Sequence, residues 1–231
     1  MNWVELRSRV QAVAFDLDGT LLDTLPDLAD AGNAMLAELG RPSVAEATTR
    51  SYIGDGIARL VKRLLTESRD GEPSEALFEQ AHAAFERHYR VGLVRRTRIY
   101  PGVVEGLDAF ALAGFKLACV TNKAEAFTRP LLAAHGLDQR LDLIVSGDTL
   151  PRKKPDPLPF THCASVFGVG TGALLVIGDS ANDVQSARAA GCTVVCVPYG
   201  YTGAGGVRSL GADAIVENVL DAAQRLLATP I

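Results

Sequence analysis

An excess of positive charge is missing from this chain of 231 residues. With 23 Lys and Arg against 27 Asp and Glu, the formal charge is -4 and the pI is near 5.6. There is thus no net basic surface to hold nucleic acid or an anionic membrane, although a small anionic ligand stays compatible. Cysteine is scarce. Cys119, Cys163, Cys192 and Cys196 form no CxxC pair and fall mostly in apolar runs, so they read as core thiols rather than as a metal or redox site. His82, His88, His135 and His162 are scattered without zinc-ligand spacing. Unbroken apolar spans are lacking too: the longest uncharged stretches, 157–178 and 189–207, are interrupted by Pro157, Pro159, Pro198 and repeated glycines. The opening residues, MNWVELRSRV, carry charges and no apolar secretory core. The expectation is a cytoplasmic protein with no nucleic acid, no membrane and no obligatory protein partner.

What is present is the composition of a globular protein: 48% hydrophobic residues, 22% charged and a mean hydropathy of +0.13. Apolar runs at 11–17, 116–121, 141–146, 173–178 and 192–197 suit strands covered on both faces. Helical segments fall between the later ones, at 103–113, 124–135, 156–167 and 181–190. The alternation predicts an α/β fold with a Rossmann-like parallel sheet. Residues 24–96 break the rhythm and read as all-helical. Ile57, Leu60, Val61, Leu64 and Leu65 share one helix face, and Leu77, Phe78, Ala81, Phe85 and Tyr89 repeat the pattern. The domains expected are a discontinuous core of 1–22 and 97–231 and a helical cap of 23–96, with linkers near 20–25 and 95–102.

Ligands of an open parallel sheet bind outside the carboxyl ends of its strands. There the expected strands deliver Asp16 and Asp18, Thr121 and Asn122, and Asp179, while the loop SGDTLPRKKPDP carries Lys153 and Lys154. Residues i and i+2 of an extended chain point the same way, so Asp16 and Asp18 project together. With Asp179 they would repel one another unless a hard divalent cation sat among them, and oxygen-only ligands favour magnesium. An aspartate can attack phosphorus, which makes Asp16 the candidate nucleophile; Asp18 is the candidate acid and base. Thr121 and Asn122 precede a helix start suited to a phosphate. Asp183 lies one helical turn after Asp179, placed to organise metal-bound water or Lys154.

DLDGT at 16–20, Thr121, the Lys154-Pro155 pair and GDSANDV at 178–184 resemble the four motifs of the haloacid dehalogenase superfamily of phosphatases. The resemblance covers nearly the whole chain, including a helical cap inserted after the first motif. It implies a magnesium-dependent phosphomonoesterase acting on a small phosphorylated metabolite through an aspartyl phosphate. It further implies that Asp16 and Asp179 bind Mg2+ through their side chains and Asp18 through its backbone carbonyl. Other readings stay open: a phosphomutase, a sugar-phosphate phosphatase, a pyrophosphatase, or a receiver-type signalling module whose phospho-Asp persists.

The cap offers its own candidates. Gly54, Asp55 and Gly56 precede the helix at 57–65, where glycines and a helix N-terminus suit an anion. Together with Arg59 they are expected to meet the carboxylate of a short phosphoester such as 2-phosphoglycolate. Lys62 and Arg63, also opposite the apolar stripe, read as a solvated face.

Overall fold

The computed structural model describes residues 1–203 and 205–228. Helix α1 (Trp3–Arg9) leads into strand β1 (Ala12–Phe15). The chain leaves through β2 (Leu22–Asp23), runs through helices α2 (Leu25–Glu38), α3 (Glu46–Tyr52), α4 (Ile57–Thr66) and α5 (Glu75–Gly92), and returns through β3 (Arg98–Ile99). Strand and helix then alternate: α6 (Val103–Leu112), β4 (Lys116–Val120), α7 (Glu125–Ala134), β5 (Leu143–Val145), α8 (Leu158–Phe167), β6 (Leu174–Gly178), α9 (Ala181–Ala190) and β7 (Thr193–Cys196). Strand β8 (Ala214–Ile215) and helix α10 (Val219–Leu227) complete the described elements.

Six strands form one parallel sheet in the order β5-β4-β1-β6-β7-β8, so β1 lies inside and all four of its residues are buried. Alternation sorts the side chains. Val13, Phe15, Leu117, Cys119, Leu175 and Ile177 join the core shared with α6, α7, α10 and the helical insert, whereas Ala12, Ala14, Ala118, Val120, Leu174 and Val176 pack with α8 and α9. Small alanines on the second face let α8 and α9 approach closely. The predicted α/β fold with an inserted helical cap is the one observed.

The linkers expected near 20–25 and 95–102 are partly ordered, pairing antiparallel as β2 and β3 at Leu22–Ile99 and Asp23–Arg98. Two-residue strands carry too little periodicity to be read from sequence. Arg63, expected on a solvated face, is 5% exposed. Its guanidinium reaches back to the Asp55 carboxylate at 2.6 Å and the carbonyls of Tyr52 and Arg69 at 2.7 and 3.0 Å. Among the described residues, no helix is long and apolar enough to cross a membrane.

Candidate active site

The order of strands reverses at β1, with β4 on one side and β6 on the other, which opens a crevice at their carboxyl ends. The sheet ladder continues one step beyond the strands: Asp16 N–H donates to Ile177 O at 3.0 Å, and Thr121 N–H to Val145 O at 2.9 Å. Backbone position is therefore fixed where these side chains leave the sheet. Asp16, Asp18, Thr121, Asn122, Lys154 and Asp179 line one cavity, with Gly54 and Gly56 of the insert also in its wall. Its volume is about 40 Å³, room for roughly three water molecules.

Lys154 is 3% exposed and meets three oxygens: Val120 O at 2.7 Å, Asp183 Oδ1 at 2.6 Å and Asp16 Oδ1 at 2.9 Å. Burial opposes the charge, but Asp16 and Asp183 outweigh it and raise the ammonium's pKa. Asp183 also closes the start of α9, where its Oδ2 accepts the Ser180 N–H at 3.0 Å and the Ser180 hydroxyl at 2.6 Å. One side chain thus ties the helix start to the lysine.

Asp16, Asp179 and Asp183 each bring a carboxylate oxygen within 4.8 Å of the others. Burial, and next Asp183, pushes the Asp16 carboxyl up from 3.8 to about 7; burial and Asp16 drive Asp179 in the same direction. A buried cluster of oxygens under such mutual repulsion fits a hard divalent cation, and among the described residues the cluster is of carboxylates alone, with no His or Cys to favour zinc. Asp179 is gripped on both oxygens, by the Thr20 hydroxyl at 2.9 Å and the Tyr201 N–H at 2.5 Å. Gly19 has φ +90° and lies so close that a Cβ there would sit 2.9 Å from the Asp179 carboxyl carbon.

The Asp18 carboxylate lies outside that cluster. It accepts the Thr24 hydroxyl at 2.6 Å and pairs through both oxygens with Lys123 Nζ, 3.0 Å from each. Lys123 is 3% exposed, and its ammonium stands 5.0 Å from the centre of the Tyr89 ring on α5. Neither Lys123 nor Tyr201 was selected from the sequence. Lys123 directly follows Thr121 and Asn122, so the triplet TNK held the signal; for Tyr201, whose hydroxyl accepts the Thr24 and Leu25 N–H groups, the loop PYGYTG offered none.

The insert is seated on this edge through its backbone. Gly54 O accepts the side-chain amides of Asn122 at 3.0 Å and Asn182 at 3.1 Å, and Asp55 O accepts Lys153 Nζ at 2.7 Å. Arg50 of α3 donates to Tyr199 O at 2.8 Å and Gly200 O at 2.5 Å. Two cap expectations need correction. The Asp55 side chain is not in the cavity wall: it is spent on Arg63 and on Asn182 at 2.8 Å, which together overcome burial and lower its pKa. Arg59 is also absent from the wall, because it points outward to Glu72 at 2.5 Å and Asp70 at 3.3 Å.

Residues 13–197 match the family model for haloacid dehalogenase-like hydrolases. The chain is 55% identical to a phosphoglycolate phosphatase of Thiobacillus denitrificans, over 93% of this chain and 94% of that one. It is 54% identical to one of Nitrosospira multiformis, over 92% and 94%. Among solved structures, a predicted phosphoglycolate phosphatase from Haemophilus somnus superposes with a TM-score of 0.87 at 34% identity, covering 94% of this chain and 97% of that one. With the family model spanning most of the sequence and relatives this similar along nearly its whole length, the chain belongs to the haloacid dehalogenase-like hydrolases.

Proposed function

We propose that the protein is a magnesium-dependent phosphomonoesterase that hydrolyses 2-phosphoglycolate to glycolate and phosphate. The observation that carries this reading is the single small cavity in which Asp16, Asp18, Thr121, Lys154 and Asp179 meet beneath the insert. The name shared by the two relatives above supports the choice of substrate. In this reading residues 23–96 act as a cap over a catalytic core of 1–22 and 97–231.

Asp16 attacks phosphorus, and the ester P–O bond breaks as Asp18 gives its proton to the departing alkoxide. Water then attacks the aspartyl phosphate while Asp18 takes a proton from it, which frees Asp16 and phosphate. Lys154 holds Asp16 Oδ1 in place, and the Thr24 hydroxyl and Lys123 hold Asp18. Thr121, with the Asn122 backbone, receives phosphoryl oxygens at the end of β4. Asp16 and Asp179 side chains and the Asp18 carbonyl would hold Mg2+, with Asp183 steadying Lys154 beside it. When bound, the ion neutralises charge on the phosphoryl group. The seated insert excludes bulk water, which strengthens each of these contacts.

The test is a screen of phosphate monoesters with purified protein and magnesium. We expect repeated turnover with 2-phosphoglycolate giving the highest kcat/KM. A higher kcat/KM for a sugar phosphate would replace the substrate, and phosphorylation that stops after one equivalent would replace the enzyme reading by a signalling one.

A further inference from the structure

The geometry points to Lys123 as the residue that selects a phosphoester bearing a carboxylate, an inference that rests on the phosphoglycolate reading. Among the described residues that line the cavity, the cations are Lys123 and Lys154. Lys154 already meets three oxygens and stands against Asp16, the phosphoryl end of the site. Lys123 pairs with the two oxygens of a single carboxylate, Asp18, and is backed by the Tyr89 ring. It is the cation with a donor to share.

The cap supplies no alternative. Its contribution to the wall is apolar, from Leu28, Ile53, Ile57 and Leu60, beside the Gly54 and Gly56 backbone. The cations of α4 face elsewhere: Arg59, the candidate from sequence, and Lys62 pair with Glu72, and Arg63 pairs with Asp55.

Substrate chemistry then fixes the place. In 2-phosphoglycolate the carboxylate carbon is two bonds from the ester oxygen. That oxygen must lie within reach of Asp18, its proton donor, so the carboxylate falls on the Asp18 side of the cavity. Without a cation there, the substrate carboxylate would lie unpaired in a buried site, an arrangement that is strongly unfavourable. Lys123 stands beside Asp18 and is placed to bridge it and the substrate carboxylate. A phosphoester with a methyl group in that position makes no use of it, so Lys123 discriminates by charge while the apolar wall limits size.

The experiment compares kcat/KM for 2-phosphoglycolate and for ethyl phosphate, which replaces the carboxylate by a methyl group. Lys123→Met should lose on the order of 10- to 100-fold more on 2-phosphoglycolate than on ethyl phosphate, the difference residing mainly in KM. Lys123→Arg, which keeps the charge, should retain part of the preference. Lys123→Gln, which can still hydrogen-bond Asp18, replaces the methionine variant if that does not fold. Equal losses on both substrates, with the wild type preferring 2-phosphoglycolate, would overturn the inference and leave Lys123 as a support for Asp18 alone. A wild type with no preference between the two substrates would instead overturn the phosphoglycolate reading, and this inference with it.

Discussion

On the core side of the cavity Asp16, Asp179 and Lys154 are buried charges, each tied to fixed partners, whereas the cap side meets the same space with apolar side chains and the backbone of Gly54 and Gly56. The cap's charged side chains are engaged away from the cavity. The difference separates two tasks. Phosphoryl transfer needs charge held still in a dry place, which a sheet edge supplies. Enclosure needs a surface that fits and can lift, and the insert is held by hydrogen bonds that can be broken and remade: Gly54 O and Asp55 O receive Asn122, Asn182 and Lys153, and Arg50 reaches Tyr199 O and Gly200 O.

If the separation holds, damage on the core side should abolish chemistry and damage on the cap side should only weaken it. Asp16→Asn is expected to lower phosphate release by about four orders of magnitude or more, because an amide cannot form the acyl phosphate. Circular dichroism should show the variant folded, and substantial residual turnover would move the nucleophile elsewhere.

A smaller effect concerns the cation. In EDTA the folded-state pKa of Asp16, about 7, lies above the ordinary value of 3.8. Its folded form therefore binds the proton more tightly than the unfolded chain does. The stability it contributes is full below the lower value and is lost as pH rises through the upper one; Asp179 shifts the same way. Magnesium should restore what is lost, so the rise in Tm on adding it should be greater at about pH 8 than at about pH 5. An equal rise at both would separate the cluster from the ion.

On the cap side, Asn182→Ala removes the amide that spans Gly54 O and the Asp55 carboxylate. We expect a loss of roughly 10-fold in kcat/KM with the magnesium dependence unchanged. A loss as large as that of Asp16→Asn would erase the contrast between the halves. Least of all, Arg59→Ala should change kcat/KM by less than about 2-fold, since an exposed ion pair contributes little. A strong and selective loss on 2-phosphoglycolate would return Arg59 to the site.

The contrast also explains what the sequence made legible. Asp16, Thr121 and Asp179 each directly follow an apolar run, so identifying the strands already brings them together at one edge. Cap geometry had no such rule. Helical projection sorted α4 into an apolar and a polar face, but it could not show that Arg63 would fold back under the loop to Asp55 while Arg59 reached outward to Glu72. The first outcome depends on the loop at residues 53–56 and the second on the path of residues 67–74, and neither segment carries a periodicity. Lys123 shows the same limit from the core: position in the chain placed it near the site, and only packing against Tyr89 and Asp18 turned it inward.

In the mechanism proposed above, Asp16 carries the phosphoryl group between two half-reactions. Rapid acid quench during turnover of 2-phosphoglycolate, followed by peptide mapping, tests it most directly. A transient phosphoryl group is expected on the peptide that contains Asp16, present in the wild type and absent in Asp16→Asn. Phosphate release from the wild type with no phosphorylated peptide, or with the label on another residue, would contradict it.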